Sequence, residues 1–173
     1  MMRKQMLWVL VLLVFILEGS LIPWLFPREW LFHLSFRFVL VLILMVAIKG
    51  KRHHSMAMGI VFGILYDILF FGHMLGMYTF VMGLCGYAAG LYAEKLQPAF
   101  LGSIWIIAAF LLFEEVAVYS IYALFQIHQE SIIWAFSQHM VPSILLNLFF
   151  AVAIYLPFNS MIEKSEQKEV RNR

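Results

Sequence analysis

The chain has 173 residues, 64% of them apolar and 13% charged, with a formal charge of +2. A water-soluble domain of this size exposes too much of itself to hide that many apolar side chains, so the composition excludes an ordinary soluble fold and makes lipid the solvent. The small positive balance requires no nucleic acid to explain it, and Cys85, the single cysteine, excludes a disulfide framework.

Six apolar runs follow one another, each long enough, or nearly so, to cross ~30 Å of hydrocarbon at ~1.5 Å per residue. The first, Met6–Leu25, carries Glu18. Arg3 and Lys4 precede it as they would in a signal peptide, but the run is too long for one and has no small-x-small cleavage site before Pro23. A turn at Phe26–Glu29, holding Pro27, leads to the second run, Trp30–Ile48, with Arg37 inside it. A polar, basic loop over Lys49–His54 precedes the third, Ser55–Phe71, with Asp67 near its end. Gly72 and Gly76 bracket a tight turn into the fourth, Met77–Leu91, which is short unless it reaches back to Leu75. Ala93–Ala99 turns into the fifth, Phe100–Phe125, where Glu114 and Glu115 are adjacent. Gln126–His139 mixes apolar and polar residues as a segment lying in the interface would, and the sixth run, Met140–Phe158, carries Asn147. The expected architecture is all-α, with six transmembrane helices over residues 1–158 and a charged, solvated helical tail over 159–173.

Basic residues orient the spans. With both termini cytoplasmic, the inside holds Arg3, Lys4, Lys49, Lys51, Arg52, Lys95, Lys164, Lys168, Arg171 and Arg173, which is ten of the twelve. Arg28 is outside and Arg37 lies within a span. This asymmetry is the positive-inside pattern, and it predicts an N-in, C-in multi-pass protein.

Ionisable groups inside a bilayer cost at least ~2.5–3.5 kcal/mol at its centre, so each calls for a reason. Glu18, Arg37, Asp67, Glu114 and Asn147 all fall in the outer half of their spans or near the midplane. They are expected to form one buried polar layer, with Arg37 as its cation bridging two or more carboxylates. Glu18 is the expected first partner, because the first two spans form a tight hairpin that brings it to the same depth. Asp67 sits where its own helix dipole disfavours an anion, so a specific donor is expected for it rather than a capping role. Glu114 and Glu115 point ~100° apart, so at most one of them faces Arg37. The other is expected to be protonated or to face a wet cavity or a partner. A structural clamp is the favoured reading of the layer, ahead of partner or ligand contact and of proton chemistry.

Small residues are the second signal. Gly59 and Gly63 are four apart on the third span, and Gly86 and Gly90 repeat the spacing on the fourth, which lets helix backbones approach closely. Internal packing of these two spans is the first expectation and docking of a foreign helix the second. The histidines lack carboxylate or cysteine partners at ligand spacing, so no metal and no cofactor are expected.

The stretch Gly59-Ile-Val-Phe-Gly63-Ile-Leu-Tyr-Asp67, followed by Gly72 and Leu75-Gly76-Met77-Tyr78, resembles the signature region of the MreD family of rod-shape-determining membrane proteins. Glu18-Gly-Ser, Arg37-Phe38, Leu112-Phe113-Glu114 and Val141-Pro142-Ser143 leading to Asn147 are similar in place and order. The resemblance implies a non-enzymatic scaffold subunit of the bacterial cell-elongation complex in the plasma membrane. Its implied partners are the bitopic protein MreC, the MreB filament, RodA and a penicillin-binding transpeptidase, which build lateral peptidoglycan. The implied fold is similar to the six-helix substrate-binding subunits of energy-coupling-factor transporters. Carried over residue by residue, it singles out Glu18, Arg37, Asp67, Glu114 and Asn147, while Glu115 and the tail have no counterpart. Whether two copies pair is open. The alternative is a small-molecule (vitamin) binding subunit of such a transporter, which would need an outer pocket that these short outer loops are ill suited to close.

Overall fold

The computed structural model describes residues 2–25, 34–49, 52–69, 75–126 and 132–171. Among the described residues every regular element is helical: α1 (Met2–Leu25), α2 (Phe38–Ile48), α3 (Arg52–Leu69), α4 (Met77–Leu96), α5 (Phe100–Leu124) and a short α6 (Ile132–Ala135). The last passes through a π-helical turn, Phe136–Met140, into the long α7, Val141–Arg171. Two stretches, Phe100–Leu124 and Phe136–Tyr155, are long and apolar enough to cross a membrane.

At the centre lies α2, only 11 residues long and apolar throughout. Every side chain from Val39 to Ala47 is buried, none above 2% exposure. A helix apolar on all sides is stable only where neighbours enclose it, and α1, α3, α4, α5 and α7 all pack against it. The enclosing helices are apolar outside as well: Val9, Leu13, Ile16, Ile64, Ile68, Leu101, Trp105, Leu145 and Phe149 are exposed. Their inward faces combine apolar side chains such as Val11, Phe62, Met82 and Leu111 with small and polar residues such as Gly59, Ser103, Glu114 and Asn147. Apolar surface on both sides suits a chain surrounded by lipid.

The tightest packing is the antiparallel pair α3–α4. A Cβ built on Gly59 would sit 2.5 Å from the Met82 carbonyl oxygen, and one on Gly63 would sit 2.5 Å from the Thr79 Cα. From the other side, a Cβ on Gly86 would meet the Ser55 carbonyl oxygen at 2.8 Å, and one on Gly90 the Arg52 Cβ at 2.5 Å. Ser55 Oγ donates to the Gly86 carbonyl at 2.8 Å, and Arg52 Nη1 pairs with Glu94 Oε2 at 2.9 Å to close the hairpin's Lys49 end. At the other end Gly76 turns the chain with φ +94°, a conformation that favours glycine. These glycines therefore face one another within the hairpin; Gly72 lies outside the described residues. Against α3, α1 lays an aromatic ladder in which Trp8 stacks on Phe62 and Phe15 meets Tyr66 edge-on at 5.2 Å.

The architecture departs from the expected spans in three places. The second span is not helical throughout: Trp30 to His33 lie outside the described residues, residues 34–37 are non-helical and α2 starts at Phe38. The polar inner loop is shorter than Lys49–His54, because α3 already begins at Arg52. The segment expected over Gln126–His139 is helical from Ile132 onward and continuous with α7 through the π-helical turn. Pro142 explains the widened turn: it has no N–H to offer residue 138, and its ring crowds that carbonyl, so the turn before it opens. Residues 159–171 continue α7 as helix.

Candidate functional site

A helix that begins inside the bundle presents unpaired amides where water cannot serve them, and side chains from α1 and α7 meet that demand. Glu18 Oε2, from α1, accepts the Val39 N–H at 3.3 Å. Asn147 Oδ1, from α7, accepts the Arg37 N–H at 2.9 Å, while its Nδ2 donates to the carbonyls of Ser35 (2.9 Å) and Ser143 (2.8 Å). Ser143 Oγ accepts the Ser35 N–H at 2.8 Å and donates back to the His139 carbonyl at 2.6 Å, tying the non-helical segment to the widened turn. The sequence places Glu18, Ser143 and Asn147 far from α2; only the fold makes them its cap.

Arg37 projects from this start of α2 into the interior. Its Nε lies 3.1 Å from Glu114 Oε1, and its Nη2 donates to the Tyr78 hydroxyl at 3.0 Å. The guanidinium carbon stands 4.7 Å from the Tyr78 ring centroid, a cation–π distance. Glu114 is wholly buried at 0% exposure, and neither of its oxygens has a hydrogen-bond partner among the described residues, so the contact with Arg37 is an ion pair. Tyr66 completes the layer by donating its hydroxyl to Glu18 Oε1. The layer thus joins α1, α2, α3, α4, α5 and α7 through contacts made by single side chains.

Arg37 pairs with Glu114, and among the described residues that is its one carboxylate at ion-pair distance, so the expected Arg37–Glu18 bridge is corrected. The cause is the interrupted helix. With residues 34–37 unwound, α2 offers bare amides beside Glu18, and the Arg37 side chain leaves the direction that a continuous helix would give it. Glu115, the neighbour of Glu114 on α5, is not within ion-pair distance of Arg37, so one of the two adjacent carboxylates takes the pairing.

Asp67 has the specific donor expected for it, the Thr79 hydroxyl, but the exclusion of a capping role is corrected. Its carboxylate accepts the N–H groups of Gly76 (3.0 Å), Tyr78 (3.1 Å) and Thr79 (3.1 Å) and the Thr79 hydroxyl (2.6 Å). These are the first amides of α4, whose dipole favours an anion. The sequence argument weighed Asp67 against the C-terminus of its own helix, whereas the turn brings the next helix's N-terminus to it. Tyr66, Tyr78, Thr79, Ser35 and Ser143 were missed as contributors because a search for ionisable residues passes over hydroxyls. For Tyr66, Ser35 and Ser143 the advance signal was position, next to or within a few residues of Asp67, Arg37 and Asn147; Tyr78 and Thr79, 11 and 12 residues from Asp67, offered none.

Chemically, this set of carboxylates, phenols and one guanidinium holds helix ends and pairs of helices. Among the described residues no group of three His, Cys, Asp or Glu side chains is placed to hold a metal ion.

Comparison with known proteins gives the family of the chain. The family profile described as rod shape-determining protein MreD matches residues 2–165. The rod shape-determining protein MreD of Bacillus subtilis (strain 168) is 30% identical over 141 residues, covering 79% of this chain and 78% of that protein. No solved structure matches the chain. With nearly its whole length inside the profile, this helical membrane protein belongs to the MreD family of rod shape-determining proteins.

Proposed function

We propose that the chain is a non-enzymatic scaffold of the cell-elongation complex, spanning the plasma membrane six times with both termini in the cytoplasm. Its role is to hold the bitopic protein MreC, and through it the wall-synthesising partners, in one arrangement. The observation that carries this reading is the use made of the polar layer. In a shape-determining family, the costliest residues to bury, Arg37 and Glu114, join α2 to α5, and Glu18, Asn147 and Asp67 cap helix starts. Such an interior favours a rigid body that presents a surface over one that cycles a substrate.

The glycines support the same reading. Because Gly59, Gly63, Gly86 and Gly90 are occupied within the α3–α4 pair, a partner helix would meet the apolar outer faces of the bundle. The vitamin-binding alternative gains no support from the comparisons, which return a shape-determining family.

The test is complementation in a rod-shaped host lacking its own family member. The wild-type chain should restore rod shape and co-purify with the bitopic partner. The Arg37→Ala variant should do neither. Restored shape with Arg37→Ala at normal abundance would remove the polar layer from the explanation, and co-purification of a vitamin would replace the scaffold reading.

A further inference from the structure

Among the described residues, Glu18, Asp67, Glu114 and Glu115 are the carboxylates set deep in the spans, and three of them have their charge answered. Asp67 accepts the first amides of α4, and Glu18 accepts the Val39 amide at the start of α2 together with the Tyr66 hydroxyl. Glu114 has Arg37 at 3.1 Å. Glu115, one residue further along α5, has no amide and no guanidinium against it. Its Oε1 is closed off from the surface and has no hydrogen-bond partner. The Ser35 hydroxyl stands beside the carboxyl but brings no charge. Around the two α5 carboxylates the titratable groups are Glu18 on α1, Arg37 at the start of α2, Tyr66 on α3, and Tyr78 and Cys85 on α4. The side chains that α7 brings to the layer, Ser143 and Asn147, do not titrate. Arg37 is the one cation among these groups, and Glu114 and the Tyr78 hydroxyl already take it.

We propose that Glu115 is a proton-binding site, its carboxyl held uncharged within the bundle and open to exchange with water at the Gln126 end of α5. An ionised carboxylate with no cation beside it is costly inside a bilayer. Neither a partner chain nor a lipid headgroup can supply the missing charge, because the oxygen that lacks a donor cannot be reached from outside. A proton needs no further space: an O–H bond forms on the carboxylate as one O–H bond of a hydronium ion breaks, and water leaves. The exchange route is written in α5. Glu115, Tyr119, Tyr122 and Gln126 follow at steps of four, three and four, which sets them along one side of the helix. The first three are half-buried and Gln126 is exposed, so polar groups continue from the carboxyl to the aqueous end of a largely apolar span. Loss of the proton would set a second anion beside the Arg37–Glu114 pair and divide the guanidinium between the two, loosening the join of α2 to α5. The inference rests on α5 crossing the membrane, and not on which partner the chain holds.

The test is infrared spectroscopy of the full chain in vesicles of phosphatidylglycerol and phosphatidylethanolamine, reading the carbonyl stretch of a protonated carboxylic acid. At neutral pH the wild-type protein should show this band, and Glu115→Gln should lose it. Asp67→Asn should keep it, because Asp67 is an anion held by the donors of α4. In deuterated buffer the wild-type band should move to lower frequency as the proton exchanges. No band in the wild type, or a band that survives Glu115→Gln, overturns the site. A band that keeps its frequency in deuterated buffer belongs to a carboxyl sealed from water, and overturns the exchange. Glu115→Gln should accumulate as the wild type does, since the amide closely matches the uncharged acid in shape. If it does not accumulate, the native carboxyl carries its charge and the proposal fails. Rod shape not restored by the wild-type chain while the band persists would sink the scaffold reading and uphold this one.

Discussion

Replacing Arg37 with Ala strands the Glu114 carboxylate at 0% exposure, without the guanidinium 3.1 Å from it. Breaking a buried pair from one side costs about 3–5 kcal/mol, enough to unfold a marginally stable protein. Arg37→Ala should therefore lose its monodisperse peak in fluorescence-detected size-exclusion chromatography. Arg37→Met combined with Glu114→Leu should recover much of the loss, because an apolar pair of similar volume in place of a buried ion pair is often neutral. A double variant no better than the single one would show that the pairing is not what Arg37 supplies. Asp67 acts more locally, since its carboxylate serves four donors at the start of α4. Asp67→Ala should cost about 1–2 kcal/mol, the upper range for a lost N-cap, and Asp67→Asn less, because one amide oxygen still accepts. Thermal denaturation in detergent gives the order; Asn falling as far as Ala would count against the cap. At this scale the charged residues were legible, because each is anomalous in an apolar run. Their partners were not, because Arg37–Glu114 and Asn147–Arg37 join positions that only packing brings together.

Among the elements, the α3–α4 hairpin was the most legible and α2 the least. Glycine at four-residue spacing states a close approach in advance, and the backbone of Thr79 fills the space that a Gly63 side chain would need. Gly63→Ala should consequently force the two helices apart and reduce accumulation sharply. Gly76→Ala meets no atom within 4 Å and carries only the strain of φ +94°, about 1 kcal/mol. Comparing the two variants by yield and melting temperature checks the assignment, and equal losses would show that the contact is softer than the geometry implies. The interruption before α2 leaves no such trace. Residues from Phe38 onward read as a uniform apolar helix, and nothing local forbids the helix from starting earlier. What stabilises the break is remote: Glu18, Ser143 and Asn147 accept the amides that the break exposes. At about 16 Å, α2 matches roughly half the thickness of a hydrocarbon layer, and its unwound start is enclosed by the side chains that accept its amides.

For the molecule as a whole, orientation is the expectation that most needs a measurement. In a Cys85→Ser background, a cysteine at Lys95 should react with a membrane-impermeant maleimide only after permeabilisation, and one at Gln126 in intact cells. The reverse pattern would invert the topology. Composition, the asymmetry of basic residues, helical class and family were all determined by the sequence itself, because each follows from local hydropathy or from residues in fixed order. The tertiary structure alone decided that α2 is short and central, that Arg37 pairs with α5 instead of α1, and that Asp67 caps the next helix. Those outcomes depend on which amides go unpaired once the helices pack. In an interior without water, the nearest acceptor takes them, whatever its distance along the chain.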